Sequence, residues 1–243
     1  MSHLNEQSSL ADWVTQKPAS SRVFEKYHLD YCCNGERRLL EACRNRNLDF
    51  HLMLEELRSI PQDQSMTNAP DPSAMSMSEL CDHIESTHHK YLRVEIPRLE
   101  ALIEKVLSVH GKPDSSLHKV REALDSLRSE LEPHMLKEEQ ILFPAIRLLE
   151  SSESSPGFHF GSIGNPIRMM EHEHDLAGRL LLQIREILND FEMPKEACNS
   201  IREMLEGLQR LEIDLHSHIH KENHILFPQA IYVEKKRRHN STP

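Results

Sequence analysis

The sequence predicts an all-α protein, an up-down-up-down four-helix bundle preceded by a small helical N-terminal domain. Three observations predict it. Glycine is scarce, 7 in 243 residues, and aromatics make up 5%, which favours helix over sheet in a chain rich in Leu, Glu, Lys and Arg. Long stretches carry apolar residues at helical spacing and are joined by short connections, the pattern of antiparallel neighbours. One segment occurs twice: His134-Met-Leu-Lys-Glu138 and His218-Ile-His-Lys-Glu222, each followed two residues later by Ile-Leu-Phe-Pro.

Residues 1–62 form the small N-terminal domain. Leu10 to Val14 begin one short helix, and Ser20 and Ser21 offer N-caps for a second through Tyr27. Asp30-Tyr-Cys32-Cys33-Asn-Gly35 ends in a turn signal, and helical segments follow near residues 37–46 and 50–60. So short a unit is expected to lean on the larger one or on a second chain. Residues 63–77, rich in Gln, Ser, Asn, Asp and Pro, read as a linker. The bundle spans 78–233, with helices over about 77–108, 115–149, 167–190 and 194–232. A Ser/Gly/Pro connection carrying His159 and Phe160 joins the second to the third. Residues 234–243 read as a frayed polar tail. Pro144 and Pro228 recur at matched positions and predict a built-in bend, whereas Pro133, unpaired in the second copy, predicts a local kink.

A net charge of −10 argues against a nucleic-acid partner and against anionic membranes. No apolar run is long enough to span a bilayer, and the first residues lack the pattern of a signal peptide, so a cytoplasmic location is expected. Five cysteines without framework spacing fit a reducing compartment.

The chemistry lies in the duplication. His and Glu four residues apart share one face of a helix. His134 and Glu138 recur 84 residues later as His218 and Glu222. A similar offset relates His89 and His174, and each opens an apolar stripe: Leu92, Ile96 and Leu99 in one case, Ala177, Leu181 and Ile184 in the other. The same steps from His88 and His172 land mostly on polar residues, so register selects His89 and His174. The candidate metal ligands are therefore His89, His134, Glu138, His174, His218 and Glu222. Imidazole with carboxylate suits iron, manganese or zinc, and two bridging carboxylates allow two metals to share an oxo or hydroxo ligand. A single such pair is more often a solvated helix contact; two matched copies point to metal. Glu130 and Asp214, one turn before His134 and His218, are candidates to accept the outer imidazole N–H, as are Glu85 before His89 and Glu173 beside His174. His216, His220 and His224 have no matching histidines in the first half and are expected at the surface. Cys32 and Cys33 are adjacent; a bond between them would be strained, and the pair is a candidate for redox or nitric-oxide chemistry. Cys43, Cys81 and Cys198 read as small core residues.

Residues 78–232, through His89, His134-x-x-x-Glu138, His174 and His218-x-x-x-Glu222, resemble hemerythrin-like cation-binding (HHE) domains. The leading unit, through Asp30-Tyr31-Cys32-Cys33-Asn34-Gly35, resembles the N-terminal domain of the iron–sulfur cluster repair di-iron proteins. The resemblance implies a hemerythrin-like bundle holding two iron ions with a bridging oxo or hydroxo ligand on those six residues, and Cys32-Cys33 as the thiol motif. It also implies cytoplasmic action under oxidative or nitrosative stress. The protein would restore damaged iron–sulfur proteins by donating iron, as a metal donor more than a classical enzyme, and would be a homodimer. The alternative is a di-iron protein that binds or reduces nitric oxide or oxygen; a third reading is a metal-free helical interaction module.

Overall fold

The computed structural model describes residues 4–60, 71–110, 115–154 and 156–240. Most of the expected linker, residues 63–70, lies outside the described residues, as does the end of the expected tail, 241–243. Among the described residues the fold is all helix, with no extended strand.

Four short helices come first: α1 (Leu10–Gln16), α2 (Ser20–Lys26), α3 (Leu39–Asn45) and α4 (Phe50–Ser59). A reciprocal capping box between Ser9 and Asp12 starts α1, and Asp49 caps α4 through the N–H groups of His51 and Leu52. The sequence reading of Ser20 as an N-cap does not hold. Ala19 occupies that position without a side-chain bond, and Ser20 is buried. Leu10, Trp13, Phe24, Tyr31, Leu39, Met53 and Leu57 make a common core, and Ile219 of the bundle is buried in it. The leading unit thus completes its core with a residue of the last helix, as its size demands.

Four long helices form the bundle: α5 (residues 77–110), α6 (115–151), α7 (Gly164–Ile187) and α8 (199–240). Each packs beside its sequence neighbour, and α5 closes the bundle against α8. The third helix stops at Ile187, earlier than its apolar pattern suggests, because Asn189, Asp190 and Phe191 all take the left-handed backbone. The fourth does not end in a free tail at 234. It runs on to Asn240, since Glu234 is buried and accepts the backbone N–H of Ile163 at 3.0 Å and the Ser162 hydroxyl at 2.6 Å.

Three of the long helices widen by one residue for a single π-turn: Glu85–His89 in α5, Glu138–Leu142 in α6 and Glu222–Leu226 in α8. Pro144 and Pro228 follow the last two directly, in the first turn of the resumed α-helix, where a missing N–H is tolerated. The expected bend is therefore realised as a change of helical winding. Two apolar clusters fill the bundle. One gathers Leu92, Ile96, Leu99, Leu124, Leu127, Leu181, Leu208 and Leu211; the other gathers Leu80, Ile84, Phe143, Ile146, Ile167, Leu226 and Phe227. A polar layer separates them.

Candidate metal centre

That layer consists of the six residues selected by the duplication. His89 and Glu138 are 0% exposed, His134 2%, His174 and His218 1%, and Glu222 0%. The π-turns place them: His89 closes one, while Glu138 and Glu222 open the other two. All four imidazoles aim Nε2 inward. His89 Nε2 lies 3.3 Å and His134 Nε2 3.4 Å from Glu138 Oε2. His174 Nε2 lies 3.0 Å from Glu222 Oε2, and His218 Nε2 2.9 Å from Glu222 Oε1. The donor atoms fall into two overlapping sets, His89–His218 and His134–His174, each with both carboxylates, and within each set all atoms lie within 4.8 Å of one another. Phe143 stacks on His89 at 5.9 Å and Phe227 on His174 at 6.1 Å, so the phenylalanines of the two Ile-Leu-Phe-Pro runs hold the mirrored rings.

This donor set fits a cation. Both oxygens of Glu138, one of Glu222 and Nε2 of His89 are buried without a hydrogen-bond partner among the described residues. Leaving such atoms unpaired in a dry interior is costly, and a cation between them removes the cost. Burial would raise the Glu222 carboxyl, but His218 and His174 hold it well below the usual carboxylate range. Burial opposes charge on His174 too, yet Glu222 raises it to about 9, while burial pushes His218 down to about 4. Without a metal, a proton on His174 offsets the buried charge of Glu222; a metal bound there would expel it.

The outer Nδ1 atoms turn toward neighbouring helices. His89 Nδ1 lies 2.7 Å from Glu139, which Arg93 also clamps. His134 Nδ1 lies 2.8 Å from Glu173, which also accepts from Lys137. His174 Nδ1 lies 2.8 Å from the side-chain amide oxygen Oδ1 of Asn223. Four sequence assignments change accordingly. Glu130 is exposed and bonds no imidazole among the described residues. Asp214 faces His88 Nδ1 at 2.8 Å instead of His218, and Glu173 serves His134 rather than its neighbour His174. The physical reason is common to Glu130, Asp214 and Glu85, each one turn before its histidine. A ring that aims Nε2 into the bundle turns Nδ1 away from the preceding turn of its own helix. Glu85 pairs with Arg147 at 2.8 Å. Glu139 and Asn223 were missed, although both directly follow the paired glutamates at the duplication's own offset.

Two other expectations are corrected. His88 is not on a wet face: it is 5% exposed and stacks on His218 with ring centroids 5.2 Å apart. His216, His220 and His224 are not surface residues, because the leading unit covers them. Tyr31 packs edge-on to His216 and His220, Thr15 Oγ1 lies 3.3 Å from His220 Nε2, and His224 Nε2 donates to the Cys32 carbonyl at 2.8 Å. Gly35 makes this seam possible: a Cβ there would stand 2.5 Å from His224 Nε2 and 2.9 Å from Ala11 Cβ. Of the single cysteines, Cys43 and Cys81 are buried, but Cys198 is exposed at the start of α8.

Cys32 and Cys33 lie against the same region. Their sulfurs are 3.6 Å apart and unbonded; Cys32 is buried and Cys33 half-buried. Asp30 accepts the backbone N–H groups of both and fixes the turn. Cys33 Sγ lies 3.6 Å from the carbonyl of His174, and Asn223 Nδ2 donates to the Cys32 carbonyl at 3.2 Å. One amide side chain thus joins the thiol turn to a candidate ligand ring.

Comparisons with known proteins agree with this architecture. Residues 82–230 match the family model described as the hemerythrin HHE cation binding domain, and residues 6–60 match one described as a domain of unknown function, DUF542. The chain is 34% identical over 225 residues to a Haemophilus influenzae protein named "Probable iron-sulfur cluster repair protein", covering 93% of this chain and 97% of the relative. It is 36% identical over 228 residues to proteins named "Iron-sulfur cluster repair protein YtfE" from Shigella boydii and Escherichia coli K12, again covering 93% and 97%. Among the described residues no helix is long and apolar enough to cross a membrane.

Proposed function

Because the chain belongs to the hemerythrin HHE family, together with the iron–sulfur cluster repair proteins, we propose that it binds two iron ions and donates iron to damaged iron–sulfur proteins. The observation that carries this reading is the buried set of inward imidazoles around two carboxylates with unpartnered oxygens. His89 and His218 would hold one ion, His134 and His174 the other, with Glu138 and Glu222 shared. Iron is the cargo, and so few protein ligands per ion leave positions open to an incoming acceptor or to a bridging oxo or hydroxo group.

The residues of the chain have distinct tasks. Glu139, Glu173 and Asn223 orient three of the rings and fix their tautomers. The apolar clusters above and below exclude water, so a proton arriving at a ligand competes directly with the metal for the same lone pair. Cys32 and Cys33, set beside His174, are the groups of the leading unit best placed to sense a redox or nitric-oxide signal at the centre.

The test is reconstitution. Iron-loaded protein should restore activity to a dehydratase whose cluster has been broken, with loss of iron from the donor, and Glu138→Leu should abolish the transfer. Steady consumption of nitric oxide or oxygen by the reduced protein, with its iron retained and no repair, would replace donation by the ligand-reducing function.

A further inference from the structure

The two halves of the centre are built by duplication, but their outer contacts are not equal. In the His134–His174 half both rings have an acceptor on Nδ1, Glu173 for one and Asn223 for the other. In the His89–His218 half His89 has one, Glu139, whereas Nδ1 of His218 is buried with no partner among the described residues.

The cause can be traced to one position. Glu173 stands one residue before His174 and reaches across to the ring of α6. The residue one before His89 is His88, and the ring it would have to reach is His218 on α8. His88 cannot serve it. Its Nδ1 is engaged by Asp214 at 2.8 Å and its Nε2 by the Lys221 ammonium at 2.5 Å. Its ring lies flat on His218, with an interplanar angle of 2°, presenting a face rather than an acceptor. Asp214, the carboxylate one turn before His218, is drawn to His88 by the same pairing. Lys221 is thus committed beside this half, whereas the cation of the other half, Lys137, lies outside the carboxylate that serves His134.

A ligating imidazole whose outer N–H has a carboxylate or carbonyl acceptor is more basic and better oriented; losing such a partner typically weakens a metal site ~10–100-fold. We infer that the two iron positions differ in lability, and that the ion held by His89 and His218 is the one released first, because His88 occupies the place of an acceptor for His218. The inference rests on the di-iron reading proposed above and names which ion that reading donates.

The experiment follows iron capture by ferrozine from the full-length diferrous protein, a readout independent of repair activity. Two phases of equal amplitude are expected. His88→Glu places a carboxylate where the other half has Glu173, and should slow the fast phase ~10-fold or more while leaving the slow phase unchanged. Glu173→Gln should accelerate the slow phase and leave the fast one alone, which keeps the test decisive if His88→Glu proves poorly folded. Release of both ions in one phase, a fast phase indifferent to His88→Glu in folded protein, or an effect of Glu173→Gln on the fast phase would each overturn the inference while leaving a di-iron protein. Fewer than two iron ions per chain in the starting material would overturn the di-iron reading as well.

Discussion

Replacing Arg185 by Ala should destabilise the metal-free protein severely. Arg185 is at the junction of α7, the α7–α8 loop, α8 and the leading unit. Its Nε donates to Glu212 at 2.9 Å and Nη2 to the other oxygen of that carboxylate; Nη1 meets Asp190 and lies 3.1 Å from His28 Nδ1. The guanidinium also lies 5.0 Å over the ring of Phe191. Glu212 is 3% exposed, so removing the arginine leaves a carboxylate in the interior with neither solvent nor counter-charge. Breaking a buried pair from one side costs about 3–5 kcal/mol. For a chain of this length that corresponds to a fall in Tm of roughly 6–20 °C. The double variant Arg185→Met with Glu212→Leu removes both charges and should recover all but about 1–2 kcal/mol, since a packed apolar pair replaces a buried ion pair at little loss. Thermal and urea unfolding of the three proteins measures it. A single variant within about 1 kcal/mol of wild type, or a double variant no more stable than the single, would refute the account of Arg185 as counter-ion to a buried charge.

Further outcomes follow from the same contacts. Glu138→Leu should remove iron from both positions because the carboxylate belongs to both donor sets, while His134→Ala should leave close to one ion per chain by iron assay. Burial holds His220 down at about 3, so the folded metal-free protein resists a proton that the unfolded chain accepts. Its contribution is intact above the ordinary histidine pKa and declines by up to ~1.4 kcal/mol per pH unit as pH falls from about 6.5 towards the folded value. Unfolding curves at pH 7 and pH 5 should show the decline, and His220→Gln should flatten it. In a Cys198→Ser background, an aqueous thiol reagent should label Cys33 before Cys32. Gly35→Ala, which forces a methyl against His224 and Ala11, should expose Cys32 to the same reagent.

Much of the arrangement could be read from residue spacing alone, and the reason is the duplication. Two copies of one pattern carry the register of α6 onto α8, and the apolar stripes from His89 and His174 carry it onto α5 and α7, so the six inward residues emerge together. Spacing along one helix says nothing about partners across helices. Hence Glu130 and Asp214, correct as same-helix neighbours, fail as acceptors, while Glu139, Glu173 and Asn223 succeed from adjacent helices. The covering of His216, His220 and His224, of which His220 is buried and the other two half-buried, was equally hidden, because their cover is Thr15, Tyr31 and Cys32, far away in the chain. The π-turns had one visible sign, the paired prolines, and the turn at Glu85–His89 had none.

Six buried side chains are proposed to hold two iron ions side by side. Diffraction from crystals of iron-loaded protein, with anomalous differences measured at the iron edge, tests it most directly. Two peaks are expected, one between His89 and His218 and the other between His134 and His174, with Glu138 and Glu222 touching both. A single peak, peaks elsewhere in the molecule, or either glutamate turned away from the metal would contradict it.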